Sequence, residues 1–475
     1  MVGIASFGAY VPAPKLGRDV IAKAWGTGST GGERSVANND EDSITMAVEA
    51  AADCLQAVER THVDGMYFAS TTAPYAEKEC ASVVACAADL PTGIATADYA
   101  QSLRSGAAAL RAACDAVRGA RKNVLVAAAD CRLGYPRSEW EQSYGDGAAA
   151  LLISDSGVVA SVDDSFCYSD ELASVWRLRE DRFVRTWEGR WVREEGCVAA
   201  LHKACSELMK KNGLKPADFA KAVFSAPDPR THGMVARRLG FDAKTQLADP
   251  LLSSIGDTGA AHALMSLVAA LETAQPGERI LFAAYGDGAE AFVLTVTDAI
   301  TELPPRRAIS GWLSSRRELP SYERYLSYRG ILEAAPGEPF RLFPSATATW
   351  RDRASIMRMH ASRCRQCGLV TFPIQRVCFN CKSRDDYETV RLSDKGGKLF
   401  TYSLDNLAGR SDDPQIVQAV VESDEGAARV YCLMTDFAAS EVAIGMPVEM
   451  TFRRIYEGAG FYNYFWKCRP VRKGS

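Results

Sequence analysis

The sequence predicts a duplicated α/β fold, followed by a small cysteine-knuckle unit and a run of short β-strands. Three observations carry this. Helix-then-strand patterns occur twice, in matching order, over the first ~300 residues. The tetrapeptide Tyr-Gly-Asp-Gly stands at Tyr144–Gly147 and again at Tyr285–Gly288, each time before an apolar strand. Four cysteines, Cys364, Cys367, Cys378 and Cys381, form two Cys-x2-Cys knuckles.

The totals set bounds. A chain of 475 residues is too long for one compact core, so two or three domains are expected. A net charge of −4 argues against a general binder of nucleic-acid backbone. No apolar run reaches membrane-spanning length. The start, MVGIASFGAYVPAPKL, reads as a short strand and a Pro-bounded loop rather than an export signal. Fourteen cysteines in such a chain are expected to be free thiols and metal ligands, and the cytoplasm is the expected compartment.

Taken in order, residues 43–72 read as helix then strand, and residues 195–229 repeat the pattern. Residues 105–130 match 258–285, each a buried helix followed by a buried strand. The stretch ADYAQSLRSGAAAL (97–110) is a polar turn running into a small-residue helix. Its apolar positions Leu103, Ala107, Leu110, Cys114 and Val117 fall at helical spacing, and its first turn leaves backbone N–H groups free. Alternating helices and apolar strands imply sheets covered on both faces. Duplication implies a pseudo-twofold core, with the loops Ser70–Tyr75, Gln101–Arg104, Ser225–Arg230 and Ile255–Thr258 meeting at one pocket. Both Gly-Asp-Gly segments are expected to be tight turns between neighbouring strands.

Residues 155–195 are rich in Trp and Arg and read as an insertion, over the pocket, at a dimer interface, or as a half-buried loop. Residues 299–360 read as a connector with a short helix near Tyr322–Leu332. Two knuckles converge four thiolates on one ion with no open position, the pattern of structural zinc. The other cysteines are expected in the core. From Lys398 to Val471 five short strands separated by Gly and charged turns suggest a small OB-type barrel. The expected units are 1–155, 156–300, 301–360, 361–384 and 385–475.

The first ~300 residues resemble the thiolase superfamily, most closely the archaeal-type 3-hydroxy-3-methylglutaryl-CoA (HMG-CoA) synthases. The segments that carry this are MVGIASFGAYVPAPKL, DEDSITMAVEAA, ASTTAPYAEK, ADYAQSLRSGAAAL, VARRLGF, IGDTGAA and YGDGAEAF. The tail resembles the rubredoxin-like zinc-ribbon/OB domains that accompany thiolases. Its signature is the four cysteines with Gly368, Phe372 and Pro373, and later IGMPVEM. The resemblance implies a duplicated five-layer αβαβα core, a homodimer through that core, and a coenzyme A thioester substrate. It also implies a possible partner thiolase, dehydrogenase or hydratase. A zinc ribbon and an OB barrel also suit nucleic-acid binding, but the acidic total and the CoA-enzyme body count against it, so neither a nucleic-acid nor a membrane partner is expected.

The family's catalytic residues do not carry over. Its acyl-forming cysteine aligns with Leu103, its glutamate with Thr71, its histidine with Ser225 and its asparagine with Asp257. Cys114 cannot stand in, lying about 16 Å further along the helix at 1.5 Å per residue. Ser102 has no evident base nearby in sequence. What remains is chemistry without an acyl-enzyme, of aldol or retro-aldol type, as in the steroid side-chain retro-aldolases that the chain also resembles. The alternatives are an inactive acyl-CoA-binding scaffold and an acyltransferase with a displaced nucleophile. Asp257 is the first candidate base, expected to rise toward neutral pKa in an apolar pocket, or else to cap the following helix. Tyr285 is a candidate proton donor. His262 and His232 are further candidates, or packed side chains. Arg230, Ser102 and Arg104 are the candidate CoA-binding residues.

Overall fold

The computed structural model describes residues 1–333, 345–407, 409–410 and 413–472. The APGEPFRLFP part of the connector lies outside these residues. The first half contributes β1 (Gly3–Tyr10), β2 (Gly65–Ala69), β3 (Ala95–Tyr99), β4 (Asn123–Asp130) and β5 (Gly147–Ser154), in the order β1-β5-β4-β2-β3. The second contributes β6 (Ala160–Ser169), β7 (Lys221–Phe224), β8 (Arg279–Tyr285) and β9 (Gly288–Val296), in the matching order β6-β9-β8-β7. Where the first half has β3, the second has only a parallel bridge between Ala222 and Leu247. Gly3 pairs with Ser161 and Ile4 with Ala160, joining the halves into one nine-stranded sheet.

The helices layer this sheet as the duplication requires. In the first half α1 (Ser43–Cys54) packs on β1 and β5, with α2 (Cys80–Ala87) beside it, while α3 (Ser105–Gly119) packs on β4, β2 and β5. In the second half α4 (Ala199–Lys211) packs on β9, β6 and β8, with α5 (Pro229–Leu239) against it. The last helix, α6 (His262–Leu271), touches α3, so α3 and α6 form the central layer of an αβαβα stack.

Three expectations need correction. The second Tyr-Gly-Asp-Gly is a hairpin turn, with Tyr285 opposite Ala289 and Asp287 and Gly288 at φ 47° and 103°. The first is not, because residues 131–146 stand between β4 and β5, and Tyr144 bridges Asp257 instead. The segment 155–195 is only partly an insertion. Its first portion is β6, the opening strand of the second half, and only then comes a small hairpin, Val175–Trp176 with Arg185–Thr186. The connector helix is shorter than expected, Tyr322–Tyr328.

In the tail, strands His360–Cys364, Val370–Thr371 and Tyr387–Arg391 surround the four cysteines. The strands β10 (Gly397–Asp405), β11 (Ile416–Ser423), β12 (Arg429–Leu433), β13 (Pro447–Gly458) and β14 (Phe461–Pro470) follow, in the order β12-β11-β10-β13-β14. A parallel bridge from Met434 to Cys468 brings the two ends of this sheet together. All fourteen cysteines are free; Cys167 is exposed rather than in the core. Among the described residues no helix is long and apolar enough to cross a membrane.

The tail strands dock on α1 and the turn before it through buried charge. Arg453 binds Glu41 and lies 2.7 Å from Asp436. Arg469 lies 2.7 Å from both Glu49 and Glu449, and Lys467 lies 2.8 Å from Asp40. Removing one member strands a buried opposite charge, which costs several kcal/mol, whereas exposed pairs contribute little. Arg453→Met is therefore expected to lower unfolding stability by ~3–5 kcal/mol in a denaturant titration. Breaking the exposed Arg351–Asp352 pair with Arg351→Met should change it by less than about 1 kcal/mol.

Candidate functional site

The head of α3 forms the floor of a cavity of about 150 Å³. Leu103 faces it, and the second Gly-Asp-Gly turn covers the same helix head. A Cβ on Gly286 would come 2.6 Å from the Arg104 nitrogen and 2.9 Å from that of Leu103, so only glycine fits there. Three of the four expected loops reach this cavity, through Leu103, Ser225 and Asp257. The fourth, Ser70–Tyr75, stands behind it. Thr71 and Thr72 bond to the Asp130 carboxylate, which also accepts the Ala260 N–H at 2.8 Å.

The charged centre of the site is a pair. Arg132 Nη2 donates to Asp257 Oδ2 at 2.5 Å, and its guanidinium lies 4.2 Å from the centre of the Tyr144 ring. Burial pushes the Asp257 carboxyl up, but Arg132 outweighs it, helped by His262 and the Gly259 N–H, and holds it below the ordinary value. The expected rise toward neutrality does not occur, because the cavity is not purely apolar at this point. The capping role is present as well, since Gly259 N donates to Asp257 Oδ1 at 2.8 Å.

Around the pair stand neutral groups. Burial lowers His262 below the ordinary imidazole value, only partly opposed by Asp257, so its ring is neutral near pH 7. One ring nitrogen bonds the Gly256 carbonyl, and Nε2 has no partner among the described residues. Tyr285 and Tyr144 are each pushed up to about 12 by burial, so both phenols stay protonated. Among the described residues each hydroxyl lacks a well-aligned hydrogen-bond partner, although Ser174 lies close to that of Tyr285. The two copies of Tyr-Gly-Asp-Gly thus send one tyrosine each into a single cavity. Ser225 lines the cavity too, with Oγ accepting the Tyr285 N–H at 2.8 Å.

The cavity also contains a thiol that sequence reading passed over. Cys197 lines the wall, fully buried, and burial with the nearby Asp228 and Asp257 carboxylates pushes its thiol far up. A thiol held protonated among carboxylates is a poor nucleophile. Cys114 is buried in the core and does not line the cavity. Arg132, Tyr144 and Cys197 are the residues missed. The repeated tetrapeptide was a signal for Tyr144; Arg132 and Cys197 had none.

Other expected residues lie elsewhere. His232 is buried against Phe224, its pKa lowered by burial to about 4, and does not line the cavity. Arg104 turns away, donating to Cys167 Sγ at 2.9 Å and Ser169 Oγ at 3.2 Å. Arg230 is exposed on α5, and Ser102 Oγ is buried beneath Gly286 with no partner among the described residues.

The metal knuckles close as expected. Cys364 and Cys381 sulfurs are 3.6 Å apart, Cys367 and Cys378 3.5 Å, and all four lie within 4.8 Å of one another. Four sulfurs at about 2.3 Å from a tetrahedral zinc stand about 3.8 Å apart, so the set fits one ion.

Residues 361–388 match the family model for the ChsH2 rubredoxin-like zinc ribbon domain. The body is 32% identical over 349 residues to the hydroxymethylglutaryl-CoA synthase of Methanosarcina mazei, covering 70% of this chain and 99% of that one. The chain belongs to the hydroxymethylglutaryl-CoA synthase family. The Methanopyrus kandleri synthase is 33% identical, across 69% of this chain and 93% of the relative. Among solved structures, an HMG-CoA synthase complexed with CoA superposes with a TM-score of 0.64 at 20% identity, over 72% of this chain and 95% of that one. The 3-oxoacyl-[acyl-carrier-protein] synthase III of Aquifex aeolicus gives 0.56 at 23%, over 62% and 100%. These likenesses place the body in the thiolase-type fold. This member of the synthase family has an aliphatic side chain at the head of α3 and an ion pair, Arg132 with Asp257, in the lining of its cavity.

Metal analysis should find about one zinc per chain. Cys364→Ser with Cys367→Ser should lose it and make the tail susceptible to protease. Retention of an intact, protease-resistant tail without metal would contradict the closed thiolate site.

Proposed function

We propose that this chain makes or breaks a carbon–carbon bond of an acyl-CoA by aldol or retro-aldol chemistry, with no acyl-enzyme. The observation that carries this reading is Leu103 at the helix head, facing a cavity whose one thiol, among the described residues, is held protonated. A CoA thioester is supported by the synthase relatives and by the CoA complex of a structural neighbour.

In the cleavage direction His262 Nε2 takes the proton of a β-hydroxyl. The Cα–Cβ electron pair moves to the thioester, giving an enolate and a released ketone or aldehyde. Backbone N–H groups at the head of α3 face the developing oxyanion. Tyr285 donates the proton that returns the enolate to acyl-CoA, and the proton held by His262 replaces it. Asp257 stays ionised against Arg132 and tunes His262 rather than serving as the base. Synthesis is the same path reversed.

We read the chain as two body halves, a connector, a zinc ribbon and an OB-type barrel, pairing as a homodimer through the body. The edge strand β3, unpaired on one side, supports that last point. A second reading, an acyl-CoA-binding scaffold for a partner enzyme, is favoured by the four replaced positions Leu103, Thr71, Ser225 and Asp257.

Incubation with a panel of β-hydroxyacyl-CoA thioesters should release a ketone or aldehyde, and Tyr285→Phe should slow release by ~10²–10⁴-fold. No turnover with any member favours the scaffold. His262 must be unprotonated, so the rate should fall only on the acid side, below pH 6.5. Asp257 raises the His262 pKa, so Asp257→Asn should move that acid limb to lower pH. A limb that stays in place or moves up would remove His262 as the base.

A further inference from the structure

One part of the cavity wall contains a feature that the proposed reaction does not use. Residues Val192–Val198 form a π-helix, continuous with the short helical turn Gly189–Trp191 before it. Such widened turns are rare and occur frequently at functional sites. Here the widening brings Val192, Arg193 and Cys197 into the cavity wall, together with Gly189. It also lays Gly196 beneath Tyr285, where a Cβ would come 2.5 Å from the phenol oxygen.

Arg193 is the unusual member. The insertion is rich in arginine, and most of these residues are already engaged. Arg177 donates to the Thr71 carbonyl, Arg182 to the Gly330 carbonyl, Arg185 to Asp181 and Arg190 to Glu194. Arg179 is exposed. Arg193 is half-buried, lines the cavity, and has no hydrogen bond or ion pair among the described residues. One of its terminal nitrogens lies 3.8 Å from the place a Gly189 Cβ would occupy, so the side chain folds back over glycine. The other cavity charges are committed or outward. Arg132 is paired with Asp257, Asp228 caps α5 by accepting from Thr231, and Glu139 is exposed. A half-buried guanidinium without a partner lacks the charged hydrogen bonds it is built to make.

We propose that Arg193 is the anion-recognising residue of this site, binding an anionic oxygen of the substrate. Two parts of an acyl-CoA supply that chemistry: a carboxylate at the far end of the acyl group, and a phosphate of the CoA head. The proposal rests on the acyl-CoA reading above and adds the charge of the group bound.

Calorimetric titration of the full-length wild type and Arg193→Gln tests it with four probes: glutaryl-CoA, pentanoyl-CoA and the corresponding two pantetheine thioesters. The variant should bind a probe that carries the recognised anion about tenfold or more weakly, and Arg193→Lys should recover part of the loss. Loss confined to the two glutaryl probes assigns the anion to the acyl group. Loss confined to the two CoA probes assigns it to the phosphates. Equal binding of all four probes to wild type and Arg193→Gln overturns the proposal and leaves the acyl-CoA reading standing. Failure of the wild type to bind any thioester overturns both.

Discussion

The ion pair between Arg132 and Asp257 ties the two halves of the body together at the place where chemistry is possible. Arg132 follows β4 of the first half, and Asp257 precedes α6 of the second. Backbone bonds reinforce the join: Gly145 N donates to the Asp257 carbonyl at 3.0 Å, and Asp257 N to the Ser143 carbonyl at 2.8 Å. Two buried charges of opposite sign are tolerable only together. Once paired they fix the protonation of their surroundings: an ionised carboxylate, a neutral imidazole beside it and protonated phenols on either side. The duplication supplies the symmetry. Each half contributes its own Tyr-Gly-Asp-Gly tyrosine, one stacked under Arg132 and one lying over the π-helix.

A second set of charges explains how the tail belongs to the body. Zinc supplies the ribbon with the closure that a segment of its size cannot obtain from a hydrophobic core alone. The five-stranded sheet of β10–β14, in contrast, is held by arginines from β13 and β14 that reach carboxylates on and just before α1. Tyr464 adds a hydrogen bond to Asp42 at 2.7 Å, at the cap of the same helix. Asp42 also closes the capping box with Thr45, so the helix start and the tail sheet share one carboxylate. The acidic run Asp40-Glu41-Asp42 therefore serves both helix initiation and docking.

Much of this was legible from residue order. The repeat, the α3 helix with its apolar face, the knuckle spacing and the strand alternation of the tail are local patterns, and the structure follows them. The pairing of distant charges is not a local pattern. Nothing around Asp257 in the sequence announces Arg132, so its carboxyl looked destined for neutrality when the structure keeps it ionised. Arg104, a candidate CoA ligand beside the α3 loop, has its guanidinium turned toward Cys167, whereas Arg230, aligned to a basic position of the synthase pattern, stands exposed on α5. The first Tyr-Gly-Asp-Gly looked like its twin, but a long segment ahead of β5 gives its tyrosine a different bridge and the same destination. The π-helix, which places Arg193 and Cys197, has no signature in composition or periodicity.

The proposed chemistry requires that no side chain of the cavity becomes acylated. Leu103 has no lone pair, Cys197 is held protonated among carboxylates, and Cys114 is sealed in the core. Intact-protein mass spectrometry after incubation with acyl-CoA thioesters and acid quench addresses this directly. The account predicts an unchanged protein mass, with every cavity residue unmodified. A stable acyl adduct on Cys197 or any other cavity residue would contradict it and make the chain a covalent acyltransferase.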